Sequence, residues 1–495
     1  MTSLDASEEK NTYLYRQVIG LIRQMRINGT LQAGEKLPSL RSLATKLSIS
    51  VPTVKQAYVE LEQQGLIYAR EKSGYYLKSS SLESAVPKKA RLPVKPTQVT
   101  RQQLIEQVYK GIHQPGHLPL GVANPVAAFP ASKALNRTMR RAMSLAGDKA
   151  LNYGPMNGFE PLRRQLAIRY LDFGMQISPE EIVITNGAQE ALSIALQSVA
   201  KAGDIIAVES PCYFGILELI ESLGMLALEI PLCADAGLTV VDVKKAIDRH
   251  MVTACVFSTT VANPLGCLLA DTTKKTIVEL LESRDIPLIE DDVYGDLHFN
   301  DSRGVPAQLY SRKGLVLTCS SFSKTVAPSY RVGWVLSPTY CSHAARIKRA
   351  MSCSSSLMNQ WTLYEFIRAG EYDRYVKQLR QVLQTNKERM VSQVRQSFSE
   401  PVRVTDPKGG TVLWIELAKH VDGNKIFQEA LSQGISVAPG TLFSPSNRYQ
   451  HCIRLSYGLP WNERVEQGIK SLADICQKAA NDKAKLPFSA TNSNT

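Results

Sequence analysis

The chain has 495 residues, 44% hydrophobic and 21% charged, with a formal net charge of +13. Its length exceeds one ordinary domain and its composition is globular, which excludes the disordered and fibrous classes. The charge is uneven, with 15 basic against 8 acidic side chains in residues 1–100; such a block suits an acidic partner such as DNA, or is simply a solvated basic surface.

Residues 1–11 are polar. From Tyr13, the positions Leu14, Val18, Leu21, Ile22 and Met25 share one helical face, and Asn28-Gly29 ends that helix. Ser39 is the expected N-cap of a short second helix that turns Leu40, Leu43, Ala44 and Leu47 inward. Ser50 caps a third, with Pro52 in its first turn and Val54, Ala57, Tyr58 and Leu61 buried. Leu66–Arg70 and Gly74–Leu77 flank Glu71-Lys72-Ser73 as a hairpin. Three helices and a hairpin in so short a stretch predict a winged helix-turn-helix whose third helix enters the major groove of double-stranded DNA. Thr53, Lys55 and Gln56 are its expected outward positions. Ser39 and Arg41 would hold phosphates at a helix start, and Lys72 and Gly74 at the wing tip would approach the DNA backbone or minor groove. Taken singly, Arg41 and Lys55 would be ordinary surface charges.

Ser79-Ser80-Ser81, then Pro87-Lys88-Lys89, Arg91, Pro93 and Pro96 read as an exposed linker. A helix is expected over 101–112, with Leu104, Ile105, Val108, Tyr109 and Ile112 on one face. Strands and helices then alternate for roughly 200 residues, which predicts α/β architecture with a mostly parallel sheet and ligand sites beyond its carboxyl ends.

Ile182–Thr185 reads as one such strand. Asn186-Gly187-Ala188-Gln189 turns from it into a helix, a geometry that exposes backbone amides to a phosphate. Farther on, Cys319-Ser320-Ser321-Phe322-Ser323-Lys324 sets a lysine among small hydroxyls, with Arg331 downstream. Upstream, Pro287-Leu288-Ile289 leads into Glu290-Asp291-Asp292-Val293-Tyr294. A buried lysine near other cations has a depressed pKa and serves as a Schiff-base amine. Hydroxyls and an arginine suit a phosphate, and an acid suits a protonated pyridine nitrogen; together these are the needs of pyridoxal 5'-phosphate. Nine cysteines, all from Cys212 onward and none in a CxxC pair, argue against a disulfide framework or a zinc site, so no metal is expected. With no run of roughly 18 apolar residues and no early apolar stretch, neither a membrane span nor a signal peptide is expected, and the predicted location is cytoplasmic.

Gly34, Leu37, Pro38, Ser39, Arg41, Leu43 and Ala44 fit the pattern G-x-x-L-P-S-x-R-x-L-A. On these residues the N-terminal segment resembles a GntR-type winged helix-turn-helix, with Val51 where that family often has arginine. Lys324 and its neighbours resemble the cofactor-lysine segment of the fold-type I, aminotransferase class I/II family. The pairing resembles the MocR subfamily of GntR-like transcription regulators over nearly the whole chain. It implies a DNA-binding head at 12–79, a linker at 80–105 and an aminotransferase-like effector and dimerisation domain at 106–480.

The resemblance further implies pyridoxal 5'-phosphate held as an internal aldimine on Lys324. Ala188, Gln189, Ser321, Ser323 and Arg331 match phosphate ligands, and Tyr213 matches the aromatic stacked on the pyridine ring. Asn263 and Tyr294 match groups that bond the ring's 3-oxygen, and Asp291 the acid that pairs with its nitrogen. Tyr153 matches a tyrosine that reaches the phosphate of the other subunit, which implies a homodimer. Arg454 matches the arginine that grips a substrate α-carboxylate. The implied function is a regulator that binds operator DNA and responds to a small amino compound or to the cofactor itself. Arg454 keeps open an active aminotransferase with an accessory DNA-binding domain, capable of transaminase half-reactions. A third reading, an inert dimerisation module, gives no chemical reason for Lys324, Asp291, Asn263, Tyr294 and Arg331 to occur together.

Overall fold

The computed structural model describes residues 14–25, 30–32, 34–63, 66–70, 73–77, 87, 89, 95–97, 102–124, 131–300, 303–399 and 402–484. Tyr13, Lys72, Lys88, Arg91 and most of the expected linker lie outside them, as does the side chain of Ile112. The chain divides into two compact units, residues 1–84 with 388–396, and the remainder.

The first unit contains α1 (14–25), α2 (Leu40–Leu47), α3 (Val51–Gln63) and the antiparallel hairpin β1 (Ile67–Arg70) and β2 (Gly74–Leu77). Ser39 starts α2 by accepting the Ser42 amide at 3.1 Å, and Ser50 starts α3 by accepting the Thr53 amide at 3.3 Å. Tyr58 ties the unit together. Its hydroxyl donates to the Pro38 carbonyl at 2.8 Å and its ring meets Tyr75 edge-on at 5.1 Å.

Three expectations are corrected here. Thr53 does not face outward: it is 1% exposed, with its hydroxyl 2.7 Å from that of Ser50. The reason is helical phase, since Thr53 and Val54 lie one turn before the buried Ala57 and Tyr58. Lys55 and Gln56 are exposed on the other side, as are Ser39, Arg41 and Gly74. Leu21 and Leu47 are 36% and 37% exposed. Val18, Ile19 and Ile22 set the inner arc of α1, which leaves Leu21 on its flank, and Leu47 is the last residue of α2 before left-handed Ser48.

The second unit begins with α4 (Gln102–His113), β3 (Leu118–Pro119), α5 (Ala131–Ala146) and α6 (Glu160–Leu171). The alternation predicted from the sequence follows: β4 (Ile182–Thr185), α7 (Ala188–Val199), β5 (Ile205–Ser210), α8 (Phe214–Ser222), β6 (Leu226–Pro231), α9 (Val240–Arg249), β7 (Val252–Phe257), α10 (Asp271–Glu282), β8 (Leu288–Asp291), β9 (Val316–Ser321) and β10 (Gly333–Leu336). Among the described residues these strands form one seven-stranded sheet in the order β4-β10-β9-β8-β7-β5-β6. It is parallel except for β10, which runs against β4 and β9. Helices cover the sheet, so β4 and β9 are buried along their whole length, and β4 reads as an apolar run rather than an alternating one.

Helices α11 (Cys341–Ser352), α12 (Leu357–Arg368) and α13 (Glu371–Ser397) lead to β11 (Arg403–Val404), β12 (Val412–Glu416), α14 (Gly423–Ser432), β13 (Ile435–Ser436), β14 (Ala438–Pro439), β15 (Cys452–Ser456) and α15 (Glu463–Ala484). Strands β11, β12, β15 and β14 make a four-stranded antiparallel sheet. In α4, Ile105 and Val108 are buried, whereas Tyr109, expected on the same inner face, is 42% exposed. Its ring meets buried Phe214 edge-on at 5.9 Å.

Candidate cofactor and effector site

Ala188, Gln189, Tyr213, Asp291 and Lys324 follow or end parallel strands of the large sheet, where ligands enter folds of this kind. After β4, Gly187 is the N-cap of α7, with φ 85° and ψ 176° and no side-chain cap bond. That conformation is essentially closed to residues bearing a Cβ. The first amides of α7, at Ala188 and Gln189, have no intrahelical acceptor and are available to an anion. The Gln189 side chain turns away and donates through Nε2 to the Gly215 carbonyl at 2.7 Å, so its contribution here is its amide.

Arg331 closes the same corner. It adopts a left-handed backbone, φ 52°, and its Nη2 donates to the Asn186 carbonyl at 2.7 Å. The guanidinium lies so close that a Cβ on Gly187 would sit 2.6 Å from Nη2. Ser321 Oγ accepts the Ser323 amide at 3.3 Å, while Ser323 Oγ is buried with no partner. An orphaned hydroxyl, an arginine fork and helix amides fit a phosphate. Behind this cradle, Asn186 donates its side-chain amide to Glu190 at 3.1 Å, and Glu190 accepts the Ser352 hydroxyl at 2.6 Å. Lys348 Nζ reaches Ser352 Oγ at 2.6 Å and the Cys353 carbonyl at 3.1 Å. Cys353 is exposed, whereas seven of the other cysteines are buried and Cys233 is half-buried.

Lys324 follows β9, and its Nζ donates to Asn124 Oδ1 and stands 6.0 Å from the centroid of the Tyr294 ring. Burial, with Arg454 and Arg331 nearby, lowers its pKa to about 8 against the opposing pull of Asp291. Asp291 ends β8 and accepts the Val293 amide at 3.3 Å. Burial pushes its carboxyl up to about 7, with Asp292 and Glu290 adding and Lys324 opposing. The neighbouring Asp292 is engaged elsewhere. It is ion-paired with Arg303, which also lies 3.2 Å from Asp296. Asp291 is therefore the carboxylate of this pair that stands ready for a cation at the site.

Tyr294 donates its hydroxyl to the Ala123 carbonyl at 2.8 Å. Asn263 Oδ1 accepts Arg454 Nη1 at 3.1 Å, and Arg454 Nη2 donates to the Gly121 carbonyl at 2.7 Å. Arg454, on β15, is 2% exposed, its Nε has no partner, and burial lowers its pKa. A buried guanidinium whose hydrogen bonds run to neutral oxygens is suited to a ligand carboxylate. Tyr213 caps α8 and lies 5.1 Å from Phe214. Tyr153 is 84% exposed and turned to solvent.

Sequence reasoning missed Gly121, Ala123 and Asn124, which the segment after β3 brings to Arg454, Tyr294 and Lys324. The Asn124-Pro125 dipeptide signals a turn, but no local pattern tells that this turn meets Lys324 across 200 positions of sequence. Helical spacing puts Tyr109 on a core-facing stripe, yet it is 42% exposed and its ring lies 5.9 Å from Phe214, the neighbour of Tyr213.

The chain matches the family model described as Aminotransferase class I and II over residues 123–472, and that of Bacterial regulatory proteins, gntR family, over residues 14–77. It is 32% identical over 465 residues to the uncharacterized HTH-type transcriptional regulator YjiR of Escherichia coli (strain K12), covering 94% of this chain and 99% of the relative. With the uncharacterized HTH-type transcriptional regulator YdcR of the same organism it shares 33% over 470 residues, again 94% and 99% of the two chains. Among solved structures, kynurenine aminotransferase from Pyrococcus horikoshii, in complex with PMP, superposes with a TM-score of 0.71 at 25% identity over 77% of this chain and 95% of that one. The aminotransferase match takes in the whole seven-stranded sheet, the gntR match takes in the three helices and hairpin before it, and the relatives align across both, so the chain belongs to the aminotransferase class I and II family in its MocR-type form, a GntR head fused to a pyridoxal 5'-phosphate domain.

Proposed function

We propose that this chain is a transcription regulator that reads operator DNA with a head at residues 12–79. A linker at 80–105 joins the head to an effector domain at 106–480 that carries pyridoxal 5'-phosphate on Lys324 and senses a small amino compound. We further propose that it works as a cytoplasmic homodimer. The observation that carries the reading is the meeting of Lys324, Asp291 and the Arg331 corner, at the strand ends of the seven-stranded sheet, with the buried Arg454 of β15. The same chain has a DNA-binding head for which transamination has no use.

The bound cofactor supplies an aldehyde carbon for primary amines and an electron-withdrawing ring. In this reading Arg331, Ser321, Ser323 and the amides of Ala188 and Gln189 hold the phosphate, with Tyr153 of the partner subunit reaching it from outside. Asp291 keeps the ring nitrogen protonated, and the ion pair so formed reverses the effect of burial on its carboxyl. Tyr213 lies against the ring face. Asn263 would donate through its side-chain amide to the 3-oxygen, and Tyr294 would do so on turning its hydroxyl from the Ala123 carbonyl. Lys324, with its pKa lowered to about 8, holds a sizeable neutral fraction near neutral pH and is a competent amine. Arg454 grips a carboxylate with both prongs of its fork. Ligand binding changes operator affinity to the extent that the ligand prefers one of two conformations of the protein.

The buried Arg454 beside Lys324 also favours a second reading, an active aminotransferase. The test is the visible absorbance of the purified protein, with and without borohydride, during titration with amino acids and amines. A borohydride-sensitive band that a ligand moves without steady turnover, together with a ligand-dependent change in operator binding, supports the regulator. Sustained keto-acid production moves the reading to an enzyme. A colourless protein that cannot be reconstituted refutes the cofactor role and leaves the DNA-binding head alone.

A further inference from the structure

Arg454 packs against one end of a cluster of aromatic side chains. Its guanidinium carbon lies 4.9 Å from the centroid of Phe443. Phe443 meets Trp414 edge-on at 5.3 Å and Phe214 at 5.9 Å. Phe214 in turn lies 5.1 Å from Tyr213 and 5.9 Å from Tyr109. Tyr109 keeps 42% of its surface open. The cluster joins four separate parts of the chain, α4, α8, β12 and the segment after β14, beside one buried cation. Phe443 and Phe214 are buried, so Tyr109 supplies the open aromatic face; with the buried cation near it, such a face offers an apolar contact and a carboxylate partner within one small ligand.

Charge limits the ligand further. The side chains of the cluster, Tyr109, Phe214, Phe443 and Trp414, are uncharged, and Arg454 is the cation packed on it. With Arg331 assigned to the phosphate, Arg454 is left for a single carboxylate. A second carboxylate on the ligand would enter a largely aromatic surface unpaired, which burial penalises heavily.

We propose that the effector is an α-amino acid with one carboxylate and an aromatic or large apolar side chain, its carboxylate on Arg454 and its side chain against the open face of Tyr109. The proposal rests on the reading that Lys324 carries the cofactor and Arg454 takes the carboxylate. Tyr109 is then a specificity-determining residue supplied by the helix that follows the linker.

The test is the cofactor-loaded full-length protein, titrated with L-phenylalanine, L-leucine, L-alanine, L-aspartate and L-glutamate while the visible band is followed. Phenylalanine is expected to half-saturate the response at a concentration about tenfold lower than alanine, in keeping with the burial of an aromatic ring. The dicarboxylates are expected to need more than alanine. Tyr109→Ala should shrink the phenylalanine-to-alanine preference about fivefold, within the range of an aromatic pair, and Tyr109→Phe should keep it. A protein whose band responds best to a dicarboxylate, or whose preference survives Tyr109→Ala, overturns the side-chain assignment alone. A protein with no borohydride-sensitive band, or whose band no amino acid moves, overturns the underlying reading and this assignment with it.

Discussion

Replacing Gly187 by alanine should loosen the cofactor through Arg331. Gly187 has φ 85° and ψ 176°, a region that costs a residue with a Cβ on the order of 1–3 kcal/mol. The new methyl would stand 2.6 Å from Arg331 Nη2, 2.8 Å from Cζ and 2.9 Å from Nη1. Ordinary carbon contacts need about 3.5–4.0 Å, so the guanidinium must retreat by roughly 1 Å. That retreat breaks its 2.7 Å bond to the Asn186 carbonyl and withdraws its fork from the phosphate position. A hydrogen bond to a charged group contributes about 1.5–3 kcal/mol, which corresponds to a rise in the cofactor dissociation constant of about ten- to hundredfold. Arg331→Ala should raise it similarly without the backbone strain. Adding Gly187→Ala to Arg331→Ala should then lower stability while changing cofactor affinity little further, because the methyl acts through a side chain already removed. Spectrophotometric titration of the cofactor-free proteins and urea unfolding of the same samples separate the two effects. If Gly187→Ala binds the cofactor like the parent while its unfolding midpoint falls, or if the two substitutions add in full, Arg331 is not the phosphate clamp and the reasoning fails.

Lys324→Ala should abolish borohydride fixation of the cofactor, read as loss of the added mass on the tryptic peptide that spans Ser323; fixation at an unchanged level would place the reactive amine elsewhere. Arg303→Met removes the partner of buried Asp292 and should destabilise the fold by about 3–5 kcal/mol in urea unfolding, as broken buried pairs do; a change below about 1 kcal/mol would mean that the pair is solvated. Asp291 has a folded pKa of about 7, above the ordinary carboxyl value of about 4, so the cofactor-free fold binds a proton that the unfolded chain releases. Its stabilising contribution is complete below about pH 4 and is lost as the pH rises to about 7, and Asp291→Asn should lack that fall; equal slopes in the two proteins would assign the proton to another group. Arg41→Ala and Lys55→Ala should each weaken operator binding and flatten its dependence on log salt by about 0.9 for every phosphate no longer neutralised; unchanged slopes would remove both residues from the DNA interface.

Much of the fold was legible because its signals are local. The run Ile182–Thr185 is β4 as expected, the Ser39 and Ser50 caps open α2 and α3, and the wing forms over the two expected segments. The loop after β9 was readable because Lys324 lies among hydroxyls within a few residues of sequence. What local patterns could not carry was partnership between distant segments. Strand β10 inserts antiparallel between β4 and β9, where a Cβ on Gly333 would lie 2.6 Å from the Gly187 carbonyl carbon and 2.7 Å from the Ser320 oxygen. Glycine at 333 is a consequence of that squeeze, which the sequence of β10 alone does not announce. Thr53 failed for a related reason. Polarity suggested an outward residue, but Ser50 offers its hydroxyl a partner and the phase of α3 turns it in. Asn124 meets Lys324 only because β3 and β9 belong to one folded unit.

The cysteine pattern opens a route to watching the cradle directly. Thiols at Cys212, Cys255, Cys267, Cys319, Cys341, Cys452 and Cys476 are buried with their pKa values pushed up, so they react slowly with alkylating dyes. Cys353 is exposed, and its carbonyl is bonded to Lys348 in the network that runs through Ser352 and Glu190 to Asn186. A maleimide fluorophore therefore attaches first to Cys353 in the unaltered protein, a few hydrogen bonds behind the phosphate position. Its emission would register movement of the Asn186-Gly187 turn as the cofactor enters, in a protein that has not first been stripped of its other thiols.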